Sequence, residues 1–109
     1  MSLYSQYITE RTDRLVLETD KGFAVYAYLP DNTVYIEDIY ISPEYRKQGL
    51  ASEFANKIAN IAKTKGCTRM IGSVVPSAKA STESLKVLLA YGMKLASSTN
   101  NFITLSKDI

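Results

Sequence analysis

Three runs rich in β-branched and aromatic residues occupy positions 14–42, and each is closed by turn chemistry. Arg14–Glu18 is followed by Asp20-Lys21-Gly22, Phe23–Leu29 by Pro30-Asp31-Asn32, and Thr33–Ile41 by Pro43. Connections this short join antiparallel neighbours, so the three strands form a meander. Beyond Gly49 the period changes. Leu50, Phe54, Ile58 and Ile61 recur at helical spacing, with Ala51, Ala55 and Ala62 beside them, up to a stop at Gly66. Arg69–Val75 is a short apolar run that reads as a buried strand, and the strand–helix–strand passage sets it parallel to the third strand. A second helix is expected over about Ser81–Tyr91, with Ser81 as N-cap, Glu83 at its positive end and Gly92 as its stop. Met93–Ala96 and Phe102–Ser106 then pair as a terminal hairpin around Ser98–Asn101. The pattern is α+β: a mixed, mostly antiparallel sheet of about six strands with two main helices. The expected core is Leu50, Phe54, Ile58 and Ile61, joined by Val74 and by Leu88 or Leu89.

Composition narrows the picture. The 109 residues suit a single domain spanning positions 1–109. Hydrophobic residues make up 46% and charged residues 22%, which excludes a disordered chain. Thirteen basic and eleven acidic residues leave a formal charge of +2, too little to point to a nucleic-acid partner. Histidine is absent, which removes His-based acid–base catalysis, Ser-His-Asp and Cys-His chemistry, and His-ligated zinc. Cys67 stands alone, so there is no disulfide and no cysteine metal cluster; a reducing, cytoplasmic compartment fits, and Cys67 itself reads as a small core residue. No metal site is expected. No apolar stretch approaches about 18 residues, so no membrane partner is expected, and the first residues lack the basic and apolar regions of a signal peptide.

The most informative stretch is Ile39-Tyr40-Ile41-Ser42-Pro43-Glu44-Tyr45-Arg46-Lys47-Gln48-Gly49-Leu50-Ala51-Ser52. A strand ends at a proline, passes through a short basic loop and enters a helix at small residues. The first amides of a helix have no intrahelical acceptor, and the helix dipole adds positive potential there. Gly49 and Ala51 let an anion come close to the backbone, while Arg46 and Lys47 add formal charge. A pyrophosphate suits such a cradle.

These residues resemble the GNAT N-acetyltransferase superfamily, whose acetyl-CoA signature, Arg/Gln-x-x-Gly-x-Gly/Ala, stands here as Arg46-Lys47-Gln48-Gly49-Leu50-Ala51. The strand-to-loop lead-in and the later Tyr91-Gly92-Met93 extend the likeness from about Arg14 to Lys107. The resemblance implies an acetyl-CoA-dependent N-acetyltransferase acting by direct attack of an amine acceptor on the thioester, with acetyl-CoA as its cofactor. Ile39, Tyr40 and Ile41 would border the pantetheine arm, and the amides of Lys47, Gln48, Gly49, Leu50, Ala51 and Ser52 would hold the pyrophosphate, with Arg46 adding charge beside them. Ser81 would lie beside the pantetheine and the adenine nucleotide. The alternative in another class is a non-catalytic acyl-CoA-binding module.

Strict strand alternation sets Tyr35, Glu37, Ile39 and Ile41 on one face and Ile36, Asp38 and Tyr40 on the other. The family often places its general base on this strand. Glu37 is therefore the candidate base, with Asp38 as the fallback; an exposed strand carboxylate without a role is the competing reading. Two departures from the family pattern stand out. Leu88 occupies the position where many relatives carry a proton-donating tyrosine, and Tyr91, three residues on, reads as a packing aromatic. The usual pair of N-terminal helices is absent or reduced to Ser2–Thr12, which leaves the acceptor cleft open or completed by a second subunit; a homodimer is expected. Tyr35 or Tyr28 would line that cleft.

Overall fold

The computed structural model of the chain describes residues 2–75, 81–99 and 101–109. Helix α1 spans Leu3–Arg11, strand β1 Leu15–Thr19, β2 Gly22–Leu29 and β3 Thr33–Ile41. A 3-10 turn at Pro43–Tyr45 leads to helix α2, Leu50–Thr64, and strand β4, Arg69–Val74. Helix α3, Ser81–Ala90, precedes the hairpin of β5, Lys94–Thr99, and β6, Phe102–Asp108. The six strands form one sheet in the order β1-β2-β3-β4-β6-β5. Every neighbouring pair is antiparallel except β3 and β4, as the helical crossover between them requires. The mixed α+β sheet and its two main helices match the sequence reading. The reduced N-terminal part is one nine-residue helix.

One sheet face carries the core. Register pairs Val34 with Met70 and Ile36 with Gly72, and Gly72 with Leu105. All of these are buried, and α2 and α3 cover them. On α2 the buried positions are Phe54, Ala55, Ile58, Ala59 and Ala62, whereas Leu50 and Ile61 are only half-buried. The expected stripe is thus rotated toward the alanines, because a helix pressed close to a sheet presents its smallest side chains at the contact. Val74 is in the core and Leu88 packs against it, while Leu89 is 51% exposed and belongs to the outer side of α3. Cys67 is buried in the same cluster.

The opposite face carries α1. Ser2 caps that helix, its Oγ accepting from the Ser5 amide at 3.1 Å. Both the Ser2 and the Ser5 hydroxyls donate to Glu18 on β1. Those hydrogen bonds, Ser5's first, hold the Glu18 carboxyl below the usual glutamate range.

The feature that shapes the site is a bulge. Val25 of β2 pairs with Asp38, but Tyr26 pairs with Ile36, so Glu37 has no partner in β2. The extra residue shifts the alternation of β3 by one. Val34 and Ile36 face the core before it, and Ile39 and Ile41 face the same core after it. Strict alternation had set Ile36 and Ile39 on opposite faces and Glu37 with Ile39 and Ile41; the bulge corrects both placements.

Candidate functional site

Two features meet at the carboxyl end of β3. The first is the loop into α2. Its 3-10 turn closes with the Tyr45 amide on the Ser42 carbonyl at 2.9 Å. Arg46 does not reach forward along the loop. Its Nε donates to the Ile41 carbonyl at 2.9 Å and its guanidinium lies 5.5 Å from the Tyr40 ring centroid, so it pins the loop to the strand it leaves. Lys47 and Gly49 both have positive φ, 64° and 76°. The first helical bond is Glu53 N–H to Gly49 C=O at 3.2 Å. The amides of Leu50, Ala51 and Ser52 therefore have no acceptor within the helix, and Gly49 supplies no side-chain cap. A Cβ built on Gly49 would meet nothing within 4 Å. The positive φ, not crowding within the chain, is what calls for glycine there. Arg46, Lys47 and Gln48 are all exposed around this open helix end.

The second feature is a fork. β3 and β4 pair only from Thr33↔Arg69 to Ile36↔Gly72. The Ser42 amide donates to Lys21 at 2.8 Å, on the β2 side. By strand alternation Tyr40 and Asp38 turn their backbone groups toward β2 as well, while Ile39 and Ile41 turn theirs toward β4. Past Ile36 that side has no strand partner among the described residues, which leaves backbone polar groups of β3 along one wall of the fork. That wall runs from the bulge at Glu37 to the open end of α2. Tyr40 borders it by position, but its ring is occupied with Arg46.

On the α1 face a cavity of about 430 Å³ is lined by Tyr4, Ile8, Arg14, Val25, Glu37 and Asp38. Glu37 is ion-paired with Arg14, and both side chains are partly solvated. The bulge brings both acids into one cavity, where strict alternation had separated them. A signal for this exists in the sequence: the apolar positions run 34, 36, 39, 41, a slip of one residue across Glu37-Asp38. The contributions of Tyr4, Ile8 and Arg14 carry no such signal, because they come from a different element folded over the sheet.

The remaining candidates are placed as follows. Ser81 opens α3, and its side chain lies outside the described residues. Leu88 rests 3.5 Å from where a Gly72 side chain would begin, on the core face. Tyr91 is a packing residue: its hydroxyl donates to Asn56 Oδ1 at 2.9 Å, Lys107 Nζ sits 4.1 Å from its ring centroid, and burial raises its pKa. Tyr28 stands on β2 opposite Val34, away from the cavity. Tyr35 instead reaches across to β4, its Oη 2.7 Å from Ser73 Oγ. Among the described residues no group of His, Cys, Asp or Glu is placed to hold a metal ion, and no helix is long and apolar enough to cross a membrane.

A mixed sheet whose single parallel pair forks beside an uncapped helix end, with a bulge at the fork, defines an α+β domain with an open helix end at the fork. Residues 5–86 match the sequence model of the Acetyltransferase (GNAT) family, and the chain belongs to that family. It is 32% identical over 80 residues to the thialysine N-epsilon-acetyltransferase of Sus scrofa, covering 73% of this chain and 47% of that protein. The matched stretch spans between about a third and a half of the length of the curated relatives. Its fold superposes on the PaiA N-acetyltransferase of Thermoplasma acidophilum, solved with coenzyme A, with a TM-score of 0.77 at 18% identity, over 93% of this chain and 64% of that one. It also superposes on an Elizabethkingia anophelis GNAT family acetyltransferase, solved with acetyl-CoA, with a TM-score of 0.75 at 17% identity, over 98% and 82%.

Proposed function

We propose that this protein is an acetyl-CoA-dependent N-acetyltransferase. One observation carries the reading: β3 and β4 stop pairing at Ile36↔Gly72, and β3 then leads past Ile39 and Ile41 to the free amides of α2, with Arg46 bound at the Ile41 carbonyl between them. A thioester cofactor matches that order, an amide-bearing arm ending in a pyrophosphate. Ile39 and Ile41 pair with the pantetheine amides, Ile41 through its N–H because its carbonyl is held by Arg46. The amides of Leu50, Ala51 and Ser52, with Lys47, Gln48 and Gly49 around them, receive the pyrophosphate, whose charge the helix dipole favours. Arg46 serves by fixing the loop, and Tyr40 by holding Arg46. Ser81 flanks the arm from the start of α3.

The acceptor enters from the α1 face. Glu37 is the base that takes the proton from the ammonium before attack, and Asp38 holds the substrate amine in the same cavity. Asp38 is the carboxylate that cavity leaves for an amine, Glu37 being paired with Arg14, and the Sus scrofa relative's name points to an amino-acid side-chain amine. Calorimetric titration with acetyl-CoA tests the cofactor. Release of CoA thiol with thialysine, lysine, spermidine and a peptide amino terminus then tests transfer. Glu37→Gln lowers kcat on the order of 10²–10⁴-fold and leaves the Kd for acetyl-CoA unchanged; full turnover in that variant removes Glu37 from the mechanism. The placement of Leu88 on the core face favours a second reading, an acyl-CoA-binding module without turnover, which a tight Kd and no thiol release would support.

A further inference from the structure

The departing thiolate needs a proton, and neither residue at the end of α3 offers one. Leu88 has none, and the Tyr91 hydroxyl is committed to Asn56. A different pair of hydroxyls stands at the fork. Ile36↔Gly72 is the last register pair of β3 with β4, so Ser73 is the first residue of β4 beyond the closed end, as Glu37 is of β3. Tyr35 pairs with Ile71 in the same parallel register, so Tyr35, Ile71 and Ser73 share the face opposite the core. Tyr35 Oη and Ser73 Oγ meet at 2.7 Å across the two strands, both residues half-buried. Two hydroxyls carry two protons, and their mutual hydrogen bond uses one. The other is free to be donated at the closed end of the fork, where the thioester end of a cofactor would come to rest.

We propose that Tyr35, supported by Ser73, is the catalytic acid of this enzyme, an assignment that rests on the acetyltransferase reading. The acceptor nitrogen forms its bond to the acetyl carbon, the carbon–sulfur bond breaks, and sulfur leaves with the electron pair. The Tyr35 hydroxyl delivers its proton to that sulfur, giving CoA thiol, and the Ser73 hydroxyl donates to the phenolate oxygen left behind. Glu37 has passed the ammonium proton to solvent before attack; it then takes the second proton, which nitrogen sheds as the amide forms, and returns that one to Tyr35 through water. The enzyme is restored, and the net change is amine plus thioester to amide plus thiol. A phenol suits this work because its ordinary acidity is close to that of a thiol, whereas an aliphatic hydroxyl is a far weaker acid.

The test uses Tyr35→Phe and Ser73→Ala with two donors, acetyl-CoA and its selenoester analogue, whose selenolate departs without a proton. The acceptor is whichever amine of the panel above the wild type acetylates fastest. With acetyl-CoA, Tyr35→Phe lowers kcat about 10²-fold and leaves the Kd unchanged. With the selenoester most of that loss disappears. Ser73→Ala shows a smaller loss with the same donor dependence, and it carries the test independently of whether the phenylalanine variant folds. Unchanged kcat in Tyr35→Phe with acetyl-CoA overturns the assignment. So does an equal loss with both donors, since that marks a hydrogen bond that only staples β3 to β4. A wild type that turns over beside either result leaves the acetyltransferase reading standing, whereas a wild type that binds no acetyl-CoA overturns both.

Discussion

Gly49 and Lys47 show how one backbone angle at a single residue sets the approach to α2. Both residues sit at positive φ, where an L side chain costs about 1–2 kcal/mol. Lysine bears that cost at 47, and glycine avoids it at 49. Gly49→Val therefore has two consequences. It strains the entry to α2, lowering stability by about 1–2 kcal/mol, and it puts a branched side chain into the open space beside the first free amides. The expected outcome is a folded protein that no longer binds acetyl-CoA, read by calorimetry alongside a denaturant titration. An unchanged Kd in that variant would show that the pyrophosphate lies elsewhere. The glycine was legible in the sequence, but its reason was not. The motif suggested close approach of a ligand, and the structure adds a left-handed backbone that only φ and ψ reveal.

Among the elements, α2 carries the core and α1 is held by polar contacts. Phe54 is 4% exposed in the centre of the buried cluster, so Phe54→Ala is expected to cost about 3–5 kcal/mol. Ile61→Ala, at a half-buried position, costs less, and a midpoint ordering that reverses the two would contradict the observed helix rotation. α1 presents a different dependence. Its Ser2 and Ser5 hydroxyls bond the Glu18 carboxylate, whose pKa is lowered in the folded state. A depressed folded pKa contributes stability that is complete above the unfolded value, near 4.5. That contribution is lost as pH falls from there through the folded value. Wild type is thus expected to lose more stability than Glu18→Gln over that acidic window, measured by urea midpoints at a series of pH values. Parallel pH curves for the two proteins would refute the tie. Helix α2 could be read from its period of apolar residues. The anchoring of α1 could not, because a serine and a glutamate thirteen residues apart advertise nothing until the chain folds back.

At the scale of the whole molecule, the sheet ends at β1 on one margin and at the exposed β5 on the other. β1 is a terminal strand in the sheet order, so its outer edge has no strand partner among the described residues. Beside it, α1 leaves Leu3 83% and Tyr7 58% exposed. An open edge next to exposed apolar side chains invites pairing. We propose that two copies associate through this margin, which also bounds the acceptor cavity. Light scattering over a concentration series is expected to report twice the 12.1 kDa chain mass, and a constant single mass would refute it. Tyr7→Lys is expected to shift the equilibrium toward single chains.

What the sequence determined by itself is what local chemistry decides. Turn residues and β-branched runs delimited the strands, the change of period marked α2, and the Arg46–Ala51 motif marked the entry to that helix. Each of these depends on residues within a few positions of one another, where propensity and dipole act directly. Tertiary structure decided the rest. It set Glu37 off as the extra residue of β3, because a bulge exists only relative to the strand it pairs with. It turned Arg46 back onto Ile41 and Tyr40, brought Arg14, Tyr4 and Ile8 around Glu37 and Asp38, and joined Tyr35 to Ser73 across thirty-eight positions of chain. These are long-range contacts, whose partners are chosen by sheet register and by which face a helix covers; the apolar slip between Ile36 and Ile39 marks where β3 changes face but names none of those partners.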